Sequence, residues 1–171
     1  MEIFIFGSIL VALMVYVSTK IKKNAAQAYE PEVFETDEFS IAKPDGFIIP
    51  IKDDSPLEFE AFSKDYGRDD SERFRQVSAE IMTSDRNGFD QLVSTVRGDA
   101  GKVIEDIASN GTGRMHRIRT EENADGVMFE AFHKIIEGPE KVFHLRIRAL
   151  PEHLDDYLRR IEEMLASFTL K

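Results

Sequence analysis

"RMHRIRTEENADGVMFEAFHKIIEGPEKVFHLRIRA", residues 114–149, holds three runs rich in β-branched and aromatic residues. Asn123-Ala124-Asp125-Gly126 and Glu137-Gly138-Pro139 separate them. Runs of this composition between turn formers read as strands, about 114–121, 127–136 and 141–149. Connections this short join antiparallel neighbours, so the stretch predicts a meander.

Upstream, "DEFSIAKPDGFIIPI" alternates around Phe39 and Ile41 and turns at Lys43-Pro44-Asp45-Gly46, with Pro and Gly at favoured turn positions. Leu57, Phe59 and Ala61 alternate, as do Val77, Ala79 and Ile81, so both segments read as strands, with "YGRDDSER" a charged loop between them. Phe89, Leu92, Val93, Val96, Ala100, Val103, Ile104 and Ile107 recur at helical spacing. They predict one long helix, bent or split near Arg97–Asp99 because Gly98 and Gly101 each weaken it by about 1 kcal/mol, and ended by Asn110-Gly111. A last helix opens at Pro151 with Glu152, Asp155 and Asp156 at its positive end, and carries Leu154, Tyr157, Leu158, Ile161, Leu165 and Phe168 as its apolar stripe. Strands, helix, three strands, helix is an α+β order with an antiparallel sheet.

Ile3–Thr19 carries no charge. Seventeen helical residues span roughly 25 Å, enough for a short membrane helix. Lys20, Lys22 and Lys23 follow it, and Glu2 precedes it. That asymmetry predicts a single-pass inner-membrane anchor (1–23) through residues 3–19, with the N-terminus outside and the C-terminal domain cytoplasmic. The lysines can also meet anionic head groups. Ala26-Gln27-Ala28 fits a small-residue cleavage motif, but the positive segment of an export signal is missing before the apolar run. A periplasmic or luminal domain is the alternative. Residues 24–37 read as an acidic tether, and 38–171 as the domain.

The strand ending in "KPDGFIIP", the helix before a three-strand meander, and the last amphipathic helix ending in "MLASFTL" together resemble the PsbP-like fold, over about residues 36–171. This fold is shared by PsbP proteins, Mog-type Ran-binding proteins and small bacterial envelope proteins. The resemblance implies an antiparallel sheet sandwiched by helices and a non-catalytic domain that docks on larger assemblies, photosynthetic or electron-transfer complexes among them. It does not itself deliver function.

The net charge of −10 becomes −12 when residues 1–23, with three lysines and one glutamate, are set aside. A phosphate backbone repels such a domain, so no nucleic-acid partner is expected. With no cysteine, thiolate sites and Cys nucleophiles are excluded. "EENADG" places Glu121, Asn123, Asp125 and Gly126 as in the start of a calcium loop, but Phe132 stands where the bidentate Glu belongs. "NGTG" lacks the Gly-Lys-Ser/Thr of a phosphate loop. A four-residue first turn would set Ile118 opposite Ala131 and His116 beside His133, a histidine pair with no third ligand. No catalytic constellation, metal site or cofactor is expected.

On the same register a three-residue second turn sets Phe143, Leu145 and Ile147 opposite His133, Ala131 and Phe129. The other sheet face then collects Arg117, Arg119, Phe132, Lys134, His144, Arg146 and Arg148, with Glu130 between Arg119 and Arg146. Arginines and aromatics are enriched at interfaces, so this basic face is the expected docking surface. The sequence thus predicts a non-enzymatic accessory or assembly subunit of a larger membrane complex. The alternative is an exported binding domain for a small ligand or metal.

Overall fold

Period-2 alternation builds most of this molecule. A computed structural model describes residues 13–20, 26–50, 56–110 and 113–171 of the chain. Residues 13–20 form α1. The strands are β1 (Glu32–Glu35), β2 (Phe39–Lys43), β3 (Phe47–Ile48), β4 (Phe59–Ser63), β5 (Val77–Asp85), β6 (Lys102–Asn110), β7 (Arg114–Ala124), β8 (Val127–Glu137), β9 (Lys141–Ala149) and β10 (Thr169–Leu170). Two further helices are α2 (Phe89–Asp99) and α3 (Leu154–Ser167). The large sheet runs β3-β4-β5-β9-β8-β7-β6 and the small one β1-β2-β10, with every pairing antiparallel. The class is α+β, as expected.

One face of the large sheet, the inner face, carries Phe59, Ala61, Val77, Ala79, Ile81, Phe132, Leu145 and Ile147. Against it pack Phe39 and Ile41 of β2 and Tyr157, Ile161, Met164 and Leu165 of α3. Phe39, Ile41, Ile147, Ile161 and Phe168 have no exposed surface. Burying each such side chain contributes about 1.5–3 kcal/mol. The opposite, outer face meets α2 over part of its width: Phe89, Val93 and Val96 cover Ile118, Ile135 and Val142. Helices therefore flank both faces, with the small sheet beside α3 on the inner one.

The long helix expected from Phe89 to Ile107 stops at Asp99, and 102–110 is an edge strand instead. "KVIEDIAS" satisfies either period, so tertiary pairing decides. Gly101 immediately precedes the strand, its N–H donating to Glu121 O at 2.8 Å, and a Cβ there would lie 3.3 Å from that same oxygen. Val103, Ile104 and Ile107 are 40–47% exposed on the edge.

The expected tether is also folded over much of its length. β1 pairs with β2, and the Lys43 ammonium reaches the carbonyls of Ala28 (2.9 Å), Glu30 (2.6 Å) and Phe47 (3.0 Å). Residues 1–12, most of the expected anchor, lie outside the described residues, as do Lys22 and Lys23. Among the described residues no helix is long and apolar enough to cross a membrane.

The first hairpin closes through Asp125-Gly126 alone, with Ala124 opposite Val127. Both turn residues have positive φ, 52° and 83°, the pattern of a two-residue turn that matches strand twist. Nothing lies within 4 Å of a Cβ at Gly126. Gly126→Ala is therefore expected to cost about 1 kcal/mol through backbone conformation alone, measurable by urea denaturation.

Candidate docking surface

The two hairpin turns decide where the seven expected docking residues go. In the first, Ile118 faces His133 rather than Ala131. This slip of two residues preserves the faces. Arg117 and Arg119 still share a face with Phe132 and Lys134. In the second hairpin Glu137 faces Val142, Lys134 faces Leu145, and His133 faces Arg146. Three residues of slip is odd, so β9 is turned over relative to expectation. His144, Arg146 and Arg148 project on the outer face, and Arg117, Arg119, Phe132 and Lys134 on the inner one. The single basic face is split in two.

On the inner face none of the four is simply displayed. Arg117 bonds Glu162 of α3 at 2.9 Å, tying β7 to the helix. Arg119 pairs with Glu130, and its guanidinium lies 5.0 Å from the Phe132 ring centre. Phe132 belongs to the core. Lys134 is buried and donates to Leu165 O (2.7 Å) and Phe168 O (2.8 Å), satisfying carbonyls at the negative end of α3. Burial, and then the nearby Arg117 charge, push its ammonium below the ordinary lysine range.

Beside them runs a groove of about 690 Å³. Met115, Lys134 and Ile136 line it from the sheet, and Phe168 and Leu170 from the chain end. Arg86, Ser109 and Arg114 also line it.

The outer face carries a buried polar chain. His133 Nδ1 and His144 Nε2 are 3.0 Å apart, with the rings stacked at 5.2 Å. His133 Nε2 lies 3.1 Å from both Glu122 Oε1 and Thr120 Oγ1. Thr120, His133 and His144 are nearly inaccessible, and His144 is held neutral, its pKa lowered to about 3 by burial, then by neighbouring His133 and Arg146. Burial opposes ionisation of Glu122, yet the hydrogen bond from His133 and the charges of His133, Arg146 and Arg148 keep its carboxyl below the usual range. The expected His116–His133 pair does not form. His116 instead bonds Asp106, whose carboxyl the Arg97 guanidinium at 2.6 Å holds low. This cluster ties α2 to β6 and β7.

On the outer face of β4 and β5, Glu60, Phe62, Ser78, Glu80 and Met82 are half-buried. Arg146 crosses to Glu80 at 2.6 Å. Next to it, arginines alternate with rings: Arg148 over Phe129 (5.6 Å), Arg73 over Phe74 (4.9 Å) and Arg75 over Tyr66 (3.9 Å). Phe74 and Phe129 meet edge to face at 5.2 Å. Arg148 makes no ion pair among the described residues. Sequence reasoning missed Arg73, Arg75, Phe74 and Tyr66. Their only signal was the alternation of basic and aromatic residues between Tyr66 and Arg75.

No protein-family model and no curated protein matches the sequence. Solved structures do. Cyanobacterial PsbP (CyanoP) from Synechocystis sp. PCC 6803 superposes with a TM-score of 0.53 at 10% identity, over 84% of this chain and 94% of that one. LpqN, involved in cell envelope biogenesis of Mycobacterium tuberculosis, gives 0.52 at 10% identity, over 83% and 91%. At such identity the likeness is one of fold: the chain is a mixed α+β protein of antiparallel sheets and helices that resembles PsbP.

Proposed function

We propose that the chain is a non-catalytic accessory subunit, anchored by residues 3–19, whose cytoplasmic domain docks on a larger membrane protein complex. The observation that carries this reading is the stack of arginines and aromatic rings formed by Arg73, Phe74, Phe129 and Arg148, with Arg75 over Tyr66, on an otherwise acidic domain. Arg and aromatic side chains supply rigid contact area with a charged tip, the composition of interface centres. The anchor is supported by α1. Leu13, Met14, Val15, Tyr16 and Val17 are successive helical residues, each 45–65% exposed. Five successive residues point around a whole helix, so no single protein face can cover them. Lys20 then marks the cytoplasmic flank.

Arg73→Glu with Arg148→Glu is expected to leave the domain folded and to abolish co-purification with the complex in mild detergent. Unchanged recovery of partners from the double variant, with an unchanged melting temperature, would sink the docking role. The groove favours a second reading, an exported binding domain for a small ligand. Intact mass separates the two: processing after Ala28 selects the exported domain, and retention of residues 1–28 the anchored one.

A further inference from the structure

We infer that the groove beside α3 takes an extended acidic segment of the partner polypeptide, its carboxylate set against Lys134 and Arg86 and its apolar side chains on Met115, Ile136 and Leu170. This rests on the docking reading and gives it a second point of contact. The Lys134 ammonium is buried, and no carboxylate lies within ion-pair distance of it among the described residues. Two of its three N–H groups go to helix-end carbonyls, which carry no formal charge. Arg117 adds repulsion. Arg86 has no ion pair or hydrogen bond among the described residues, and only Glu137 contributes a carboxylate to the lining. Arg114, the third cation, is already matched by Asp90 and Glu137.

A concave site with two uncompensated cations in a chain of net charge −10 is complementary to an anion. Its apolar floor adds the requirement for aliphatic side chains. A polypeptide suits the place because the groove continues onto Ser109 of the edge strand β6. β6 ends the sheet order, so no described strand pairs with its outer edge, and past the irregularity at Val103–Glu105 its register is regular from Glu105 to Asn110, the end that adjoins the groove.

The test is selection of binders from a random peptide library by the full chain in detergent, followed by fluorescence anisotropy of the enriched peptides. Enriched sequences should combine Asp or Glu with aliphatic residues. Their affinity should fall with added salt, and at least tenfold in Arg86→Glu with Ser109→Glu, two substitutions that leave the core and Lys134 untouched. No enrichment, enriched peptides without acids, or binding indifferent to both substitutions would overturn the inference. Displacement of the peptides by a small fatty carboxylate at equal or higher affinity would also overturn it, in favour of a small-molecule site. The assay contains no partner complex, so these failures are distinct from that of the docking reading, which fails if the protein purifies alone and monomeric.

Discussion

Replacing Lys43 with methionine should destabilise the domain by about 3 kcal/mol, seen as a fall of roughly 6–12 °C in Tm. The Lys43 side chain is fully buried, yet its ammonium satisfies three main-chain carbonyls and lies 3.4 Å from Glu32. Methionine keeps the volume and removes every donor. The Phe47 carbonyl is then left buried and unpaired, and those of Ala28 and Glu30 must find water at the domain edge. An unsatisfied buried acceptor costs about 1–3 kcal/mol, and a lost charge-assisted bond is at the upper end. The change also has a topological effect. Lys43 fixes the chain at Ala28, so a domain hung from α1 has only the seven residues 21–27 between Lys20 and that point, at most about 28 Å of chain. In Lys43→Met the segment before β1 comes free and the leash lengthens. Hydrogen exchange should show it, with protection lost first at the Gly46 amide, which bonds Tyr29 O. A stability change under 1 kcal/mol would mean that the lysine is incidental to the packing.

Lys43 also shows how much of this protein its sequence discloses. Strand positions were legible wherever one face is buried and the other wet. Phe39 and Ile41, Phe59 and Ala61, and Val77, Ala79 and Ile81 all recur at every second position and are all buried. The amphipathic last helix was legible for the same reason. Nothing marked Lys43 or Lys134 as interior, because a buried lysine is set by carbonyls that only the folded chain brings together. The docking face failed at β8. Its run Ala131–Ile135 is buried on both faces, so "AFHKI" has no alternation from which to fix a register. Only the turn could decide, and Pro139-Glu140 makes the second connection tighter than the sequence suggested, with the Gly138 N–H closing on Lys141 O at 2.8 Å. The two-residue error at Asp125-Gly126 was harmless, whereas the odd error at Gly138 turned a whole strand over. The 102–110 segment failed differently. Val103, Ile104 and Ile107 fit a helix stripe as well as a strand, and the choice is made by the free edge of β7.

The buried pair His133–His144 should make the protein acid-sensitive well above the carboxylate range. His144 carries an ordinary pKa of 6.5 when unfolded and about 3 when folded. Between those values the unfolded chain binds a proton that the native one refuses. Stability therefore falls as pH falls from 6.5 toward 3, at up to about 1.4 kcal/mol per pH unit, and is fully retained above 6.5. Glu122 and Asp106 act in the same direction but lower down. Their native pKa values are depressed, so what they contribute is present above the unfolded carboxylate range and is lost as pH drops through the native values. The window from pH 6.5 to 4.5 thus separates the imidazole from the acids. His144→Gln keeps an N–H to offer His133 Nδ1 and removes the titration. Urea denaturation across that window should cost the wild-type chain about 2 kcal/mol more than the variant. Parallel stability profiles would show that the pair accepts a proton without opening. In that case the outer face would be wet at His144, and the Arg146–Glu80 bridge beside it could not be keeping water from the stack.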